Sequence, residues 1–328
     1  MTTGSRQNVQ WFEEELKRRF EIKTKVIGLG CQDLREGRVL NRIIRVGEGG
    51  WQYEPDQRHS DMIIKGLNLE TAKSVKTPGE EEKKTEADEN EKELSKQQAT
   101  EYRGMVARGN YLAQDRVDLQ YAVKELSRAM AGPTEGDWKK LRRLGRYLVG
   151  VPRVVTSYPW QERMSMVTGY SDSDWAGCKK TCKSTSGGIL MRGSHYIRSW
   201  STTQKCITLS SGEAELVALV KVSTELLGII QLAADWGDEI EAEVLVDSAA
   251  AFGVVKRKGC GKLRHVRVGQ LWVQEKEESG ELAYKKVRGE ENPADAGTKY
   301  LSEEKMRRFM SAAMQEPVDG RASSSLKI

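Results

Sequence analysis

Residues 169–177 read GYSDSDWAG, and with Met166-Val-Thr before them they alternate in the manner of a half-buried strand that closes on acid. A strand is therefore expected over 166–171, running into Asp172 and Asp174. Side chains two apart on a strand share a face, so periodicity alone does not choose between these two aspartates. Carboxylates at the end of a buried strand are costly unless they are paired or bind a cation. Further acids follow in chain order: Glu213 and Glu215 in GEAEL, Asp247 in VLVDS and Asp295 in NPADAGTK. Each follows or opens a predicted strand or helix.

The pattern around them is mixed. Strands are expected over 187–191 and 196–200 with Arg192-Gly-Ser as the turn, then an extended piece over 206–209 and a long helix over 210–234. A strand over 243–246, helices over 249–256 and 266–278, and a strand over 282–287 complete this part. Hairpin strands followed by helix–strand–helix–strand form a mixed α/β class.

Upstream, Val9, Phe12, Leu16 and Phe20 recur at helical spacing over 8–20. The β-branched run 39–46 is expected to turn at GEGG (47–50) into a strand over 51–53, and Pro55 and Asp56 to open a helix that buries Met62, Ile63 and Leu67. Residues 77–99 read as a solvated linker, because a run such as EEEKKTEADENEKE buries almost nothing. Helices are expected over 102–112 and 117–130, and a third begins at Thr134 in a capping-box-like start. Its stripe is Trp138, Leu141, Leu144 and Leu148, with Lys139, Lys140, Arg142, Arg143 and Arg146 on the other faces. Those cations form either a solvated face or a phosphate-contacting surface.

Several classes are set aside. No apolar run approaches the roughly 18 residues of a membrane-spanning helix, so no membrane partner is expected. The first 20 residues lack the apolar core of a secretory signal. An odd and thinly spread set of 5 cysteines argues against a disulfide framework and for a reducing compartment, cytoplasmic or nuclear. The net charge of +5 is uneven, acidic over 79–93 and basic over 138–146.

Phosphodiester cleavage needs an activated water and a stabilised leaving oxygen, and two magnesium ions about 3.5–4 Å apart supply both. Magnesium takes oxygen ligands, which makes converging carboxylates its natural site. Local pattern does not choose between Glu213 and Glu215: the stripe Leu216, Leu219, Val220, Leu227 and Ile230 is centred about 80° from each. Asp295 after Asn292-Pro293 could equally stabilise a helix dipole. The lone His59 and His195 read as structural, and Cys178 with Cys182 near His195 is a weak zinc hint without a second Cys/His pair. Trp175 and Trp200 are core or stacking-platform candidates.

GYSDSDWAG, KSTSGG, SW…QK…LSSGEAEL, VDSAAA and NPADAGTK, in this order, resemble the ribonuclease H domain of copia-type retrotransposon Pol polyproteins over about residues 166–301. Lys262-Leu-Arg-His265 looks like that family's Lys-His element before its late helix. The runs YRGMVARGNYLAQDRVDLQYAVKELSRAM and PTEGDWKKLRRLGRYLVG look like the end of the adjoining reverse transcriptase, and 8–78 does so more loosely. The resemblance implies a ribonuclease H-like α/β fold, a mixed five-stranded sheet with flanking helices, after a mainly helical α+β remnant of the reverse transcriptase thumb or connection. It divides the chain into a first remnant (1–76), a charged flexible linker (77–99), a second, helical remnant (100–160), the nuclease domain (165–302) and a C-terminal tail (303–328).

Carried over residue by residue, the resemblance implies Asp172, Glu215, Asp247 and Asp295 as ligands of two Mg2+ ions, with Mn2+ possible as a substitute. They would place the attacking water and the scissile phosphate of an RNA–DNA hybrid, with Lys179, Lys180 and Lys183 holding phosphates. The implied partners are that hybrid and the rest of the Pol polyprotein. Two features depart from related enzymes. The stretch Arg288-Gly-Glu-Glu-Asn292 lacks the histidine that often precedes the last aspartate, leaving Glu290 or Glu291 as a substitute. The polymerase signature Tyr-x-Asp-Asp is absent, so a C-terminal piece of the polyprotein without DNA synthesis of its own is expected. The competing reading is a nucleic-acid-binding or domesticated relic without turnover.

Overall fold

The computed structural model describes residues 2–81, 92–261, 265–266 and 268–326. Residues 82–91 of the expected linker and the Lys-Leu-Arg part of the Lys-Leu-Arg-His element lie outside the described residues. The described ends of the linker are not loose, since Lys96–Ala99 belong to a helix capped by Ser95 and Arg143 holds Thr77 and Glu80. The described chain is α/β with two five-stranded sheets.

One sheet is built from β5 (Met166–Asp174), β6 (Thr185–Arg192), β7 (His195–Thr203), β8 (Glu241–Val246) and β9 (Ala283–Lys286), in the order β7-β6-β5-β8-β9. β5, β6 and β7 pair antiparallel, while β8 joins β5 and β9 joins β8 in parallel. This is the mixed five-stranded, ribonuclease H-like sheet that the resemblance led us to expect. The long helix α6 (Ser211–Asp235), capped by Ser210, buries Leu216, Leu219, Val222 and Leu226 against Val167, Leu190, Val244 and Val246. The smaller helices α7 (Ala249–Val255) and α8 (Trp272–Glu278) pack at the β8–β9 side of this core.

α6 corrects one expectation. By length and composition it is apolar enough to cross a membrane, since its alanines, leucines and valines continue past the short aliphatic patch visible in sequence. Here it is a core helix, with 10 buried residues that include Glu213 and Glu215.

The other sheet runs β1 (Glu36–Val39), β2 (Arg42–Gly47), β3 (Gly50–Glu54), β4 (Val154–Pro159) and β10 (Gln315–Pro317). The β-branched run expected as one strand is folded in two, because Leu40 and Asn41 both adopt positive φ and turn β1 into β2. Helices α2 (Arg58–Gly66), α3 (Lys96–Ala113), α4 (Gln120–Arg128) and α5 (Glu135–Gly150) share a second core around Ile63, Tyr102, Leu119 and Leu144. Thr134 and Asp137 close the expected capping box on α5. Helix α1 (Arg6–Arg19) forms, but its expected apolar stripe is not buried.

Residues 303–328, expected as a tail, contain α9 (Glu303–Ala312) and β10. Met306, Phe309 and Met310 lie on one face of α9 and join Val154, Ile189, Met191 and Ala294 in a third core. Strand β10 pairs with β4, and Gln315 accepts from the Val117 backbone N–H at 3.1 Å. Helix α4 meets the sheet of β5–β9 and its β5–β6 loop through a row of polar contacts one helical turn apart: Gln120 to Ser199, Lys124 to Thr185 and Arg128 to Thr181 in that loop.

Candidate active site

The acids gather where β5 and β8 end and α6 begins. One carboxylate oxygen from each of Asp172, Glu215 and Asp247 lies within 4.8 Å of the others. Asp172 is in β5 near its C-terminal end, only 5% exposed. Asp247 directly follows β8, which runs parallel to β5, so the two strands deliver their acids to the same edge. Glu215 is in the first turns of α6, 9% exposed, and its Oε1 accepts from the Ser173 backbone N–H at 3.3 Å.

Asp295 stands beside this triad. It belongs to a short 3-10 turn, Pro293–Gly297, entered by Asn292. The buried Asn292 amide fixes that turn to the sheet by donating to Ser171 O at 2.9 Å, while its oxygen accepts from Ala294 N at 3.2 Å. The turn also packs hard against β6. A Cβ at Gly187 would lie 2.6 Å from Ala294 O, and one at Gly297 would lie 2.7 Å from Trp200 O and 3.0 Å from Gly187 Cα. Bare backbone at both positions lets Asp295 approach Asp172.

The electrostatics follow from that crowding. Burial first, and the neighbouring Asp295 second, push the Asp172 carboxyl up to about 7, although the Thr298 hydroxyl donates to its Oδ2. Burial, then the charges of Asp172 and Asp247, push Glu215 up to about 8. Glu215 Oε2 is buried with no hydrogen-bond partner. An all-oxygen donor set with one orphaned lone-pair site fits a hard divalent cation, and these residues could hold one.

The alternatives left open in sequence are separated by what else each acid touches. The Asp174 carboxylate accepts from the Thr185 backbone N–H at the start of β6 and faces Lys124 of α4. Glu213 accepts from Leu209 N at 2.7 Å and from His265 Nε2 at 3.1 Å, so it closes the loop before α6. Neither is in the triad.

Other candidates sit elsewhere. Lys179, Lys180 and Lys183 are in the loop after β5, the first two exposed. Of the α5 cations, Arg142 donates to Leu67 O, Arg143 pairs with Glu80 and donates to Thr77, and Arg146 donates to Lys73 O. Those guanidiniums bind residues 67–80 to α5. Lys140 lies 3.7 Å from Asp137, and Lys139 and Lys140 both line a small cavity of about 110 Å³ with Tyr300. Glu290 lines an open groove of about 680 Å³ together with Asp247 and Arg288.

His59 stacks on Tyr111, and the His195 ring is hydrogen-bonded to Pro159 O at 2.7 Å. All 5 cysteines are free, and Cys178 and Cys182 belong to no metal-type cluster among the described residues. Trp200 is core. Trp175 is 52% exposed, its indole N–H held by Thr208 O at 3.1 Å, which ties residues 206–209 to the β5 end instead of into a ladder. Sequence reading missed Asn292, Thr298 and Lys299 as site-building residues, although all three are in the NPADAGTK motif.

No protein-family model matches the chain. Two curated relatives, the retrovirus-related Pol polyproteins from transposons RE2 and RE1 of Arabidopsis thaliana, are 32% and 33% identical over 250 and 253 residues. The matches cover 75% and 76% of this chain but only 17% of each relative's length. Among solved structures, LC11-RNase H1 isolated from compost is 16% identical, with 41% of this chain and 94% of that chain covered and a TM-score of 0.29.

Proposed function

This chain is a homologue of the retrovirus-related Pol polyproteins of plant copia-type transposons, and from that premise we propose that it cuts the RNA strand of RNA–DNA hybrids as the ribonuclease H part of such a polyprotein. The observation that carries this reading is the triad Asp172, Glu215 and Asp247, three carboxylates within 4.8 Å at one sheet edge. With Asp295 beside them, they would hold two magnesium ions, or manganese in their place. Bound there, such ions supply an activated water and stabilise the leaving oxygen.

The chain's own residues prepare that site. Thr298 fixes one Asp172 oxygen by donating to it, and the Ser173 N–H does the same for Glu215 Oε1, which leaves Glu215 Oε2 without a partner. Asp172 and Glu215, whose carboxyls burial lifts, would release their protons to hold such ions. No protein nucleophile is required. The hybrid is recognised by shape and 2′-hydroxyls, with Lys179, Lys180 and Lys183 as phosphate contacts and the open groove beside Asp247 as part of its path.

The test is cleavage of an end-labelled hybrid by the whole chain with magnesium. Asp247→Asn is expected to lower the rate by about 10²-fold or more, as loss of an essential electrostatic group does, with a thermal melt in EDTA no lower than that of the wild type. Undiminished cleavage by Asp247→Asn would reject the assignment. Hybrid binding without turnover at any magnesium or manganese concentration would favour a binding relic.

A further inference from the structure

The last acid of the site is followed, four residues on, by a cation. Lys299 Nζ lies 2.7 Å from Asp295 Oδ1, and the charges of Asp172, Asp295 and Asp247 all act on it. One ammonium thus faces three of the acids proposed to hold metal. Its backbone is pinned, because the preceding Thr298 is buried and its hydroxyl contacts both Asp172 and Asp295 O. Its side chain is 48% exposed, so the charge stands at the mouth of the pocket on a four-carbon stem free to swing.

Building on the metal-dependent reading above, we propose that Lys299 is a resident counter-cation that competes with divalent ions for the carboxylates and, once displaced, contacts the scissile phosphate. Charge bookkeeping supports both halves. Four ionised carboxylates are balanced by two divalent ions, so the pocket with Lys299 would carry one net positive charge toward an incoming phosphate. Without metal, the same ammonium is paired with Asp295 Oδ1, an oxygen that an ion would need as a ligand. An exposed ion pair with no such task contributes little and is indifferent to divalent ions.

The two roles pull in opposite directions, and the competition half is read without cleavage. Mn2+ binding to the whole chain, free of nucleic acid, is measured by titration calorimetry for the wild type, Lys299→Met and Lys299→Gln. Removing the positive charge held beside Asp295 is expected to tighten Mn2+ binding roughly 3- to 10-fold in both variants. Single-turnover cleavage at saturating Mn2+ is expected to fall about 10-fold or more, with Lys299→Arg recovering part of the loss. Unchanged or weaker Mn2+ affinity in both neutral variants would overturn the competition, and undiminished cleavage at saturating Mn2+ would overturn the phosphate contact. If the wild type cleaves no hybrid, the proposed activity fails, while the affinity comparison still decides whether Lys299 competes with metal.

Discussion

At Asp172 and Glu215 burial outweighs the partners that favour charge, and this has a pH signature. Their carboxyls rise from ordinary values of 3.8 and 4.5 to about 7 and about 8. The folded chain then holds these protons more tightly than the unfolded one. The resulting stabilisation is fully present below about pH 4 and is lost as pH rises through 7 to 8. In EDTA, Asp172→Asn is therefore expected to melt above the wild type at pH 8, with the gap closing toward pH 4. A gap that does not change with pH would contradict it. Magnesium should narrow the gap at pH 8, because an ion replaces the missing protons. The identity of these acids was only half legible in sequence. Asp172 and Asp174 alternate alike, and what separates them is the Thr185 N–H and Lys124, the latter about 50 residues upstream. Glu213 and Glu215 both lie in the first turns of α6, and Leu209 N and His265 take the first.

At the scale of elements, the 3-10 turn and its seat on β6 decide whether Asp295 reaches the triad. Gly187 and Gly297 touch through backbone alone, so Gly297→Ala forces the turn outward. An overpacked contact of this kind costs about 1–3 kcal/mol. Chemical denaturation should show that loss, and Mn2+ affinity should weaken with it. Full stability in Gly297→Ala would mean that the turn has slack. Elements whose determinants are local were legible, among them α6 after Ser210 and α5 after Thr134. Where a distant partner takes the backbone, they were not. Residues 206–209 looked extended, yet Trp175 and Ser184 bind Thr208 and no ladder forms.

Over the whole molecule, the two sheets are joined by segments far apart in sequence. β10 pairs with β4, and Phe309 of α9 shares one core with Val154 of one sheet and Ile189 of the other. Nothing local in residues 303–328 names those partners, so in sequence the stretch reads as a tail. Phe309 is 4% exposed, so Phe309→Ala is expected to cost about 3–5 kcal/mol of unfolding free energy; a loss below 1 kcal/mol would show that α9 is only loosely attached. The central claim remains the convergence of acids from β5, α6, β8 and the 3-10 turn on bound metal. Anomalous scattering from a crystal of the whole chain soaked in Mn2+ tests it most directly. The expected result is density for two ions among Asp172, Glu215, Asp247 and Asp295; an empty pocket at saturating Mn2+, or ions bound only elsewhere, would contradict it.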